Sequence, residues 1–210
     1  MNVPHRPPER LIVYVDGFNL YHGLHDATGR ANLWLDLVAL AKSLRPRSNL
    51  VGVKYFTAPV LNEPAAVSRQ AHHQGALLAK YPSLLSIVQG RYQSKQVTCV
   101  RCGHSYIKHE EKETDVNIAV QLVADAARHE MDAALVISAD SDLAPAVRMA
   151  KRIEPRLFVA AAFPPKRFSN ELKALMPVSF QIGANRFRKV QLPDTFTIGG
   201  VTYNRPAKWA

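Results

Sequence analysis

Oxygen-bearing side chains recur in this chain where a sheet protein presents its ligands. Asp16 and Asn19 follow the apolar run Leu11-Ile12-Val13-Tyr14-Val15, Asp115 opens the segment Thr114-Asp115-Val116-Asn117, and Asp140 and Asp142 follow Ala133-Ala134-Leu135-Val136-Ile137-Ser138. Carboxylates gathered in one place repel and raise one another's pKa unless a cation offsets their charge. Hard oxygen donors in that number select Mg²⁺ or Mn²⁺, which keeps several waters and touches only one or two carboxylates directly. Such a centre can position and deprotonate a water for in-line attack on a phosphodiester. Asp16 and Asp140 are the expected direct ligands. Asp115 and Asp142 are expected to hold a second ion or orient the water, and Asn19 to hydrogen-bond a metal-bound water or a phosphate oxygen. Each residue also has an ordinary use: Asp16-Gly17 as a turn, Asn19 as a helix cap, Asp115 as a first-turn acid favoured by the helix dipole. The pair Asp140/Asp142 exceeds what a cap needs, since one acid suffices.

These groups meet only if the elements carrying them alternate. Leu11–Val15 reads as a buried parallel strand. A helix is predicted from Trp34, Leu35, Leu37, Val38, Leu40, Ala41 and Leu44, ending before Pro46. A strand follows over 50–57, then a helix over 63–80 with Ala66, Ala76, Leu77 and Leu78 inward, then a strand over 84–92. Thr114 reads as the N-cap of an amphipathic helix with Val116, Ala119, Val120, Val123 and Ala127 on its buried side. After the strand ending at Ser138 come a helix from near Asp142 to Arg152, a strand over 156–163, a short helix over 170–176 and a last strand over 178–182. The alternation predicts a parallel sheet with helices on both faces, whose ligands bind beyond the carboxyl ends of the strands.

Composition narrows the partner. The chain has 210 residues, 47% hydrophobic and 21% charged, which suits one soluble domain with a substantial core. A formal charge of +10 and a pI near 9.8 point to a polyanion, nucleic acid before an anionic membrane surface. No apolar run approaches the roughly 20 residues of a membrane span, and the N-terminus lacks the apolar core of a signal peptide, so the cytoplasm is the expected compartment. Residues 1–9, rich in proline and charge, are expected to be a poorly ordered leader. From Gly183 to residue 210 the chain becomes a basic arm interspersed with Phe187, Phe196, Tyr203 and Trp209, which either joins the polyanion grip or patches the core with its aromatics. Among the surface cations, Lys112, Arg91 and Lys95 are the candidate phosphate contacts, Lys112 foremost because it lies three residues before Asp115.

Three segments, Val15-Asp16-Gly17-Phe18-Asn19-Leu20, Lys112-Glu113-Thr114-Asp115-Val116-Asn117 and Ser138-Ala139-Asp140-Ser141-Asp142-Leu143, in this order, resemble the NYN domain family of PIN-like ribonucleases over roughly residues 10–182. The resemblance implies a PIN-like three-layer α/β sandwich on a mainly parallel sheet. It implies a metal-dependent endoribonuclease, with Asp16, Asp115, Asp140 and Asp142 as metal-binding acids and Asn19 beside them. Two positions depart from the family pattern: Glu113 and Ala139 stand where glycine is common, and Ala139 needs a backbone that tolerates a Cβ. A non-catalytic RNA-binding or adaptor protein of the same fold is the alternative. The chain lacks both the second aspartate of a haloacid-dehalogenase-like phosphatase, having Phe18 there, and the phosphate loop of a P-loop NTPase.

The alternation is interrupted over residues 93–110 by a hairpin around Cys99-Val100-Arg101-Cys102-Gly103, a feature also similar to a bacterial branch of the family. This spacing is half of a structural zinc site. The missing ligands would be His109, with the easier reach, His104, His72/His73, or residues of a second subunit in a homodimer. A reduced, metal-free knuckle and a disulfide remain the other readings.

Overall fold

The computed structural model describes residues 8–61 and 63–209, with the side chains of 108–110 outside that description. The expected leader therefore lies mostly outside the described residues. Its Glu9 is anchored: the Ser48 hydroxyl donates to Glu9 Oε1 over 2.6 Å.

In chain order the elements are β1 (Arg10–Asp16), α1 (Gly17–Thr28), α2 (Leu37–Leu44), β2 (Asn49–Thr57), α3 (Pro64–Lys80), β3 (Leu85–Gln89), β4 (Arg91–Thr98), β5 (Ser105–Lys112) and α4 (Thr114–Ala127). There follow β6 (Ala133–Ile137), a 3₁₀ turn (Ser141–Leu143), α5 (Ala144–Ile153), β7 (Phe158–Phe163), α6 (Asn170–Leu175), β8 (Phe180–Gln181), α7 (Ala184–Lys189), β9 (Thr195–Ile198), β10 (Val201–Asn204) and a closing 3₁₀ turn (Ala207–Trp209). The main sheet runs β3-β2-β1-β6-β7-β8, all parallel. β1 lies at its centre because its residues are buried on both sides. Leu11, Val13 and Val15 face one core with α1, α2, α3 and α7, while Ile12 and Tyr14 face the other with α4, α5 and α6. This is the three-layer PIN-like sandwich expected. Among the described residues no helix is long and apolar enough to cross a membrane.

Several elements differ from the predicted ones for local reasons. Trp34, in a bend, and Leu35, bridged to Gln191, precede α2, because Asp36 caps that helix by accepting the Ala39 N–H at 2.8 Å. Leu78 is 41% exposed; His73, Ala76 and Leu77 are the residues α3 buries. In α4 the buried stripe is Ile118, Leu122, Asp125 and Ala126, with Val116 and Val120 more than 60% exposed. The helix is turned because a charged side chain faces inward. Asp125 accepts from Tyr14 Oη at 2.6 Å, Lys54 Nζ at 2.6 Å and Gln121 Nε2 at 2.8 Å, which offsets the cost of burying its charge.

The strand predicted to run through Tyr92 stops at Gln89. Gly90 makes the turn, donating its N–H to Thr57 O at 2.7 Å, and the insertion is the antiparallel pair β4 and β5, wider than residues 93–110. The arm from Gly183 is packed. Phe187 is fully buried, the Trp34 indole N–H donates to Pro193 O at 2.8 Å, and Trp209 lies against Trp34 and His73.

Candidate active site

The sheet order places β1 between β2 and β6, and the chain leaves β1 toward one side and β6 toward the other. Such a switch point opens a crevice beyond the carboxyl ends of the strands. Val15 is in register with Ile137, so Asp16 and Ser138 end the two strands side by side. The Ser138 hydroxyl donates to Asp16 Oδ2 at 2.7 Å and accepts the Asp140 N–H at 3.0 Å. Asn19 spans the same gap: its Oδ1 accepts the Ala139 N–H at 3.1 Å, while its own N–H donates to Asp16 Oδ1 at 2.9 Å. Asp140 Oδ1 accepts the Asp142 N–H at 2.9 Å. The cap of α1 is Asp16 and not Asn19, which lies inside the helix, and Asp140 caps the 3₁₀ turn. A carboxylate has about four acceptor positions, so neither use exhausts its oxygens.

Asp16 is 2% exposed, and burial drives its pKa up. The charge of Asp140 adds to this, and hydrogen bonds from Asn19, Ser138 and Phe18 oppose it. Asp115, in the first turn of α4, is pushed up to about 7, first by burial and then by the charges of Asp16, Asp140, Glu111 and Asp142. All four predicted acids thus share one electrostatic neighbourhood.

Glu111 is a further member that motif spacing misses. It sits near the end of β5, opposite Tyr92 of β4, and its Oε1 accepts the Thr114 N–H at 3.1 Å together with the Thr114 hydroxyl. Gly90 makes room for it, since a Cβ there would stand 2.7 Å from the Glu111 carboxylate and 2.7 Å from the Thr114 hydroxyl. Thr114 is not the N-cap. That position belongs to Glu113, whose backbone is left-handed at φ 79°, the conformation for which glycine is suited. Ala139 is not among the residues with positive φ, so its Cβ is tolerated.

The cations divide. Arg91, at the start of β4, is paired with Glu113; Lys95 is exposed midway along the hairpin; Lys112 is exposed at the end of β5, across from Arg91. The knuckle stands at the far tip, where Cys99 O accepts the Gly103 N–H and Cys99 N–H donates to His104 O, both at 2.8 Å. Cys102 is exposed, and both thiols are free. His109 pairs in register with Ser94, and its side chain lies outside the described residues. Its backbone is four residues, roughly 13 Å, along the strand from Ser105. His72 and His73 lie in α3 against Trp34, apart from the knuckle. Among the described residues no three His, Cys, Asp or Glu side chains converge into a ready-made metal cage. An all-oxygen set with spare lone pairs nevertheless suits Mg²⁺ or Mn²⁺, which completes its shell with water.

Fold and site together define an α/β protein of PIN-like architecture with an acid cluster at the switch point of its sheet. The chain belongs to the NYN domain family, whose model matches residues 10–180. It is 30% identical over 175 residues to 6-hydroxy-3-succinoylpyridine 3-monooxygenase HspA of Pseudomonas putida (strain DSM 28022 / S16), a match covering 68% of this chain and 55% of that protein. The chain thus spans about half the length of that curated relative. Its fold is similar to the crystal structure of VPA0982, a protein of unknown function from Vibrio parahaemolyticus RIMD 2210633, with a TM-score of 0.56 at 20% identity, covering 87% of this chain and 97% of the other.

Proposed function

We propose that this chain is a divalent-metal-dependent endoribonuclease. The observation that carries the proposal is the junction of Asp16, Ser138 and Asp140 at adjacent strand ends, with Asp115 in the same field of negative charge. Membership of a nuclease-like family and the net positive charge support it. Asp16 and Asp140 would hold Mg²⁺ or Mn²⁺, with Asp115 and Asp142 as partners. The ion would supply Lewis-acid stabilisation of the phosphoryl oxygens and lower the pKa of a bound water. Ser138 and Asn19 fix the strand ends, and the Asn19 amide NH₂ is left to donate to a phosphate oxygen. Asp115 would hold a second ion or orient the attacking water; burial and the crowding of negative charge raise its pKa, and the bound cation would offset that crowding. Lys112 and Lys95 lie on the hairpin that leaves this edge, where they gather the RNA backbone. Labelled RNA incubated with the chain is expected to be cut in Mg²⁺ or Mn²⁺ and left intact in EDTA; equal cutting in both refutes the metal-dependent reading.

A second reading rests on a cavity of about 480 Å³ beside the acid edge, large enough for a small molecule. The P. putida relative is named for the oxygenation of a substituted pyridine, so this chain would bind such a ring there. Incubation with 6-hydroxy-3-succinoylpyridine, O₂ and an electron donor tests it: a hydroxylated product favours this reading, and unchanged substrate removes it.

The Cys99 and Cys102 knuckle is read as reduced and metal-free; its alternative is a zinc-bridged homodimer, in which the thiol pair of a second chain would complete the tetrahedron.

A further inference from the structure

The cavity begins one residue beyond Asp16. Gly17 lines it, and a Cβ there would come within 2.7 Å of Phe56 O and 2.8 Å of the Tyr55 ring. Its aromatic lining includes Phe18 and Tyr21 from the first turns of α1, Tyr92 from β4, Tyr55 and Trp209. Phe18 and Tyr92 meet edge to face at 6.3 Å between ring centroids, and Tyr21 is 42% exposed. Tyr92 is also the cross-strand partner of Glu111, so the same rung of the hairpin carries an aromatic wall of the cavity and a member of the acid cluster.

The lining is mixed: among its leucines and aromatic rings stand His22, Thr57, Glu63, Arg69 and Gln70, and Glu63, its one carboxylate among the described residues, is paired with Arg69 and Lys208. His73 donates from Nε2 to Leu35 O at 2.8 Å, which leaves its neutral Nδ1 as an acceptor. Arg30 lines the cavity and has no ion pair among the described residues. Aromatic faces, side chains able to hydrogen-bond a ring edge such as Gln70 and His22, and a cation with no ion pair among the described residues match a planar heteroaromatic ring bearing an anionic group.

Resting on the nuclease reading, we infer that this cavity is a nucleobase pocket. It receives one unstacked base of the RNA while the neighbouring phosphate lies at the acid edge, with Arg30 contacting a phosphate of the same nucleotide. A base held in a helix cannot enter, so the chain cuts at unpaired nucleotides. Stacking on aromatic side chains tolerates any base, because every base has a π face, and the pocket therefore selects strandedness more strongly than sequence.

The test separates the pocket from the chemistry. In EDTA, where hydrolysis does not interfere, the full chain is titrated calorimetrically with 5′-mononucleotides and with ribose 5-phosphate. Nucleotides are expected to bind at least tenfold more tightly than ribose 5-phosphate. Tyr92→Ala is expected to remove most of that difference while Tyr92→Phe keeps it, and Arg30→Ala to weaken both ligands alike. With metal present, an unpaired RNA is expected to be cut at least tenfold faster than the same sequence in a duplex. Ribose 5-phosphate binding as tightly as the nucleotides, no nucleotide binding below millimolar concentration, or equal cutting of duplex and single strand each overturns the inference. Nucleotide binding that follows this pattern in a chain that cuts no RNA with any metal overturns the nuclease reading and leaves the base pocket standing.

Discussion

His73 makes the fold acid-sensitive, and the size of the effect follows from its surroundings. The imidazole is buried beside Trp34 and Trp209. Burial lowers its pKa to about 4; the hydrogen bond to Leu35 O and the charge of Asp36 oppose the shift. In the unfolded chain the same group titrates near 6.5. Above that pH both states are neutral and His73 costs nothing. As pH falls below 6.5 the unfolded state takes up the proton and the folded state does not, so stability declines until the folded pKa is reached. The full loss for this shift is about 3 kcal/mol, most of it reached by pH 4.5. The assay is urea unfolding of wild type and His73→Gln between about pH 7.5 and 4.5. Other carboxyls titrate in both proteins, so the reading is the difference between the two curves. The wild type is expected to lose roughly 2 to 3 kcal/mol relative to the variant over this range. Parallel curves refute the reasoning, because they mean His73 protonates as freely in the fold as outside it.

Electrostatic gripping predicts that RNA affinity falls steeply with salt, and that Lys112→Ala and Lys95→Ala each reduce the slope of log K against log salt by about 0.7. Arg91→Ala has a smaller effect than Lys95→Ala, because Glu113 already occupies its guanidinium; a larger effect contradicts the assignment. At the left-handed position, Glu113→Gly is expected to be more stable than Glu113→Ala by about 1 kcal/mol by chemical denaturation, since both lose the exposed ion pair and only glycine relieves the backbone. Equal stabilities contradict that account. Metal analysis of protein purified without chelator is expected to find two titratable thiols and no bound zinc in the monomer. Half an equivalent per chain, lost with a dimer on chelation, supports the bridged site instead.

The acids were legible in the sequence because each follows a strand end or opens a helix, places where an apolar run stops abruptly at a carboxylate. The central strand was legible for the same reason: Leu11 to Val15 has no polar face. Other features lay in tertiary pairings that local patterns do not carry. Glu111 alternates with charged neighbours along β5, and only pairing with β4 and the space above Gly90 bring it to the cluster. The face of α4 was misread because Val116 and Val120 suggest an apolar stripe, whereas Asp125 turns inward to Tyr14 and Lys54, both distant in the chain. Helix α1 buries only Leu20 and Leu24 besides two glycines, a pattern too sparse to stand out. The cavity has no sequence signature, since its lining is assembled from α1, the segment leading into α2, β2, α3, the hairpin and Trp209 of the arm.

The central claim is that Asp16 and Asp140 hold the metal at which RNA is cut. It is tested most directly by single-turnover cleavage of labelled single-stranded RNA by wild type, Asp16→Asn and Asp140→Asn in Mn²⁺, with unfolding curves confirming that each variant is folded. The account predicts metal-dependent cleavage by wild type and a loss of at least about a hundredfold in each variant, about 2.7 kcal/mol of transition-state stabilisation. Full rates in both folded variants, or wild-type cleavage that persists undiminished in EDTA, contradict it.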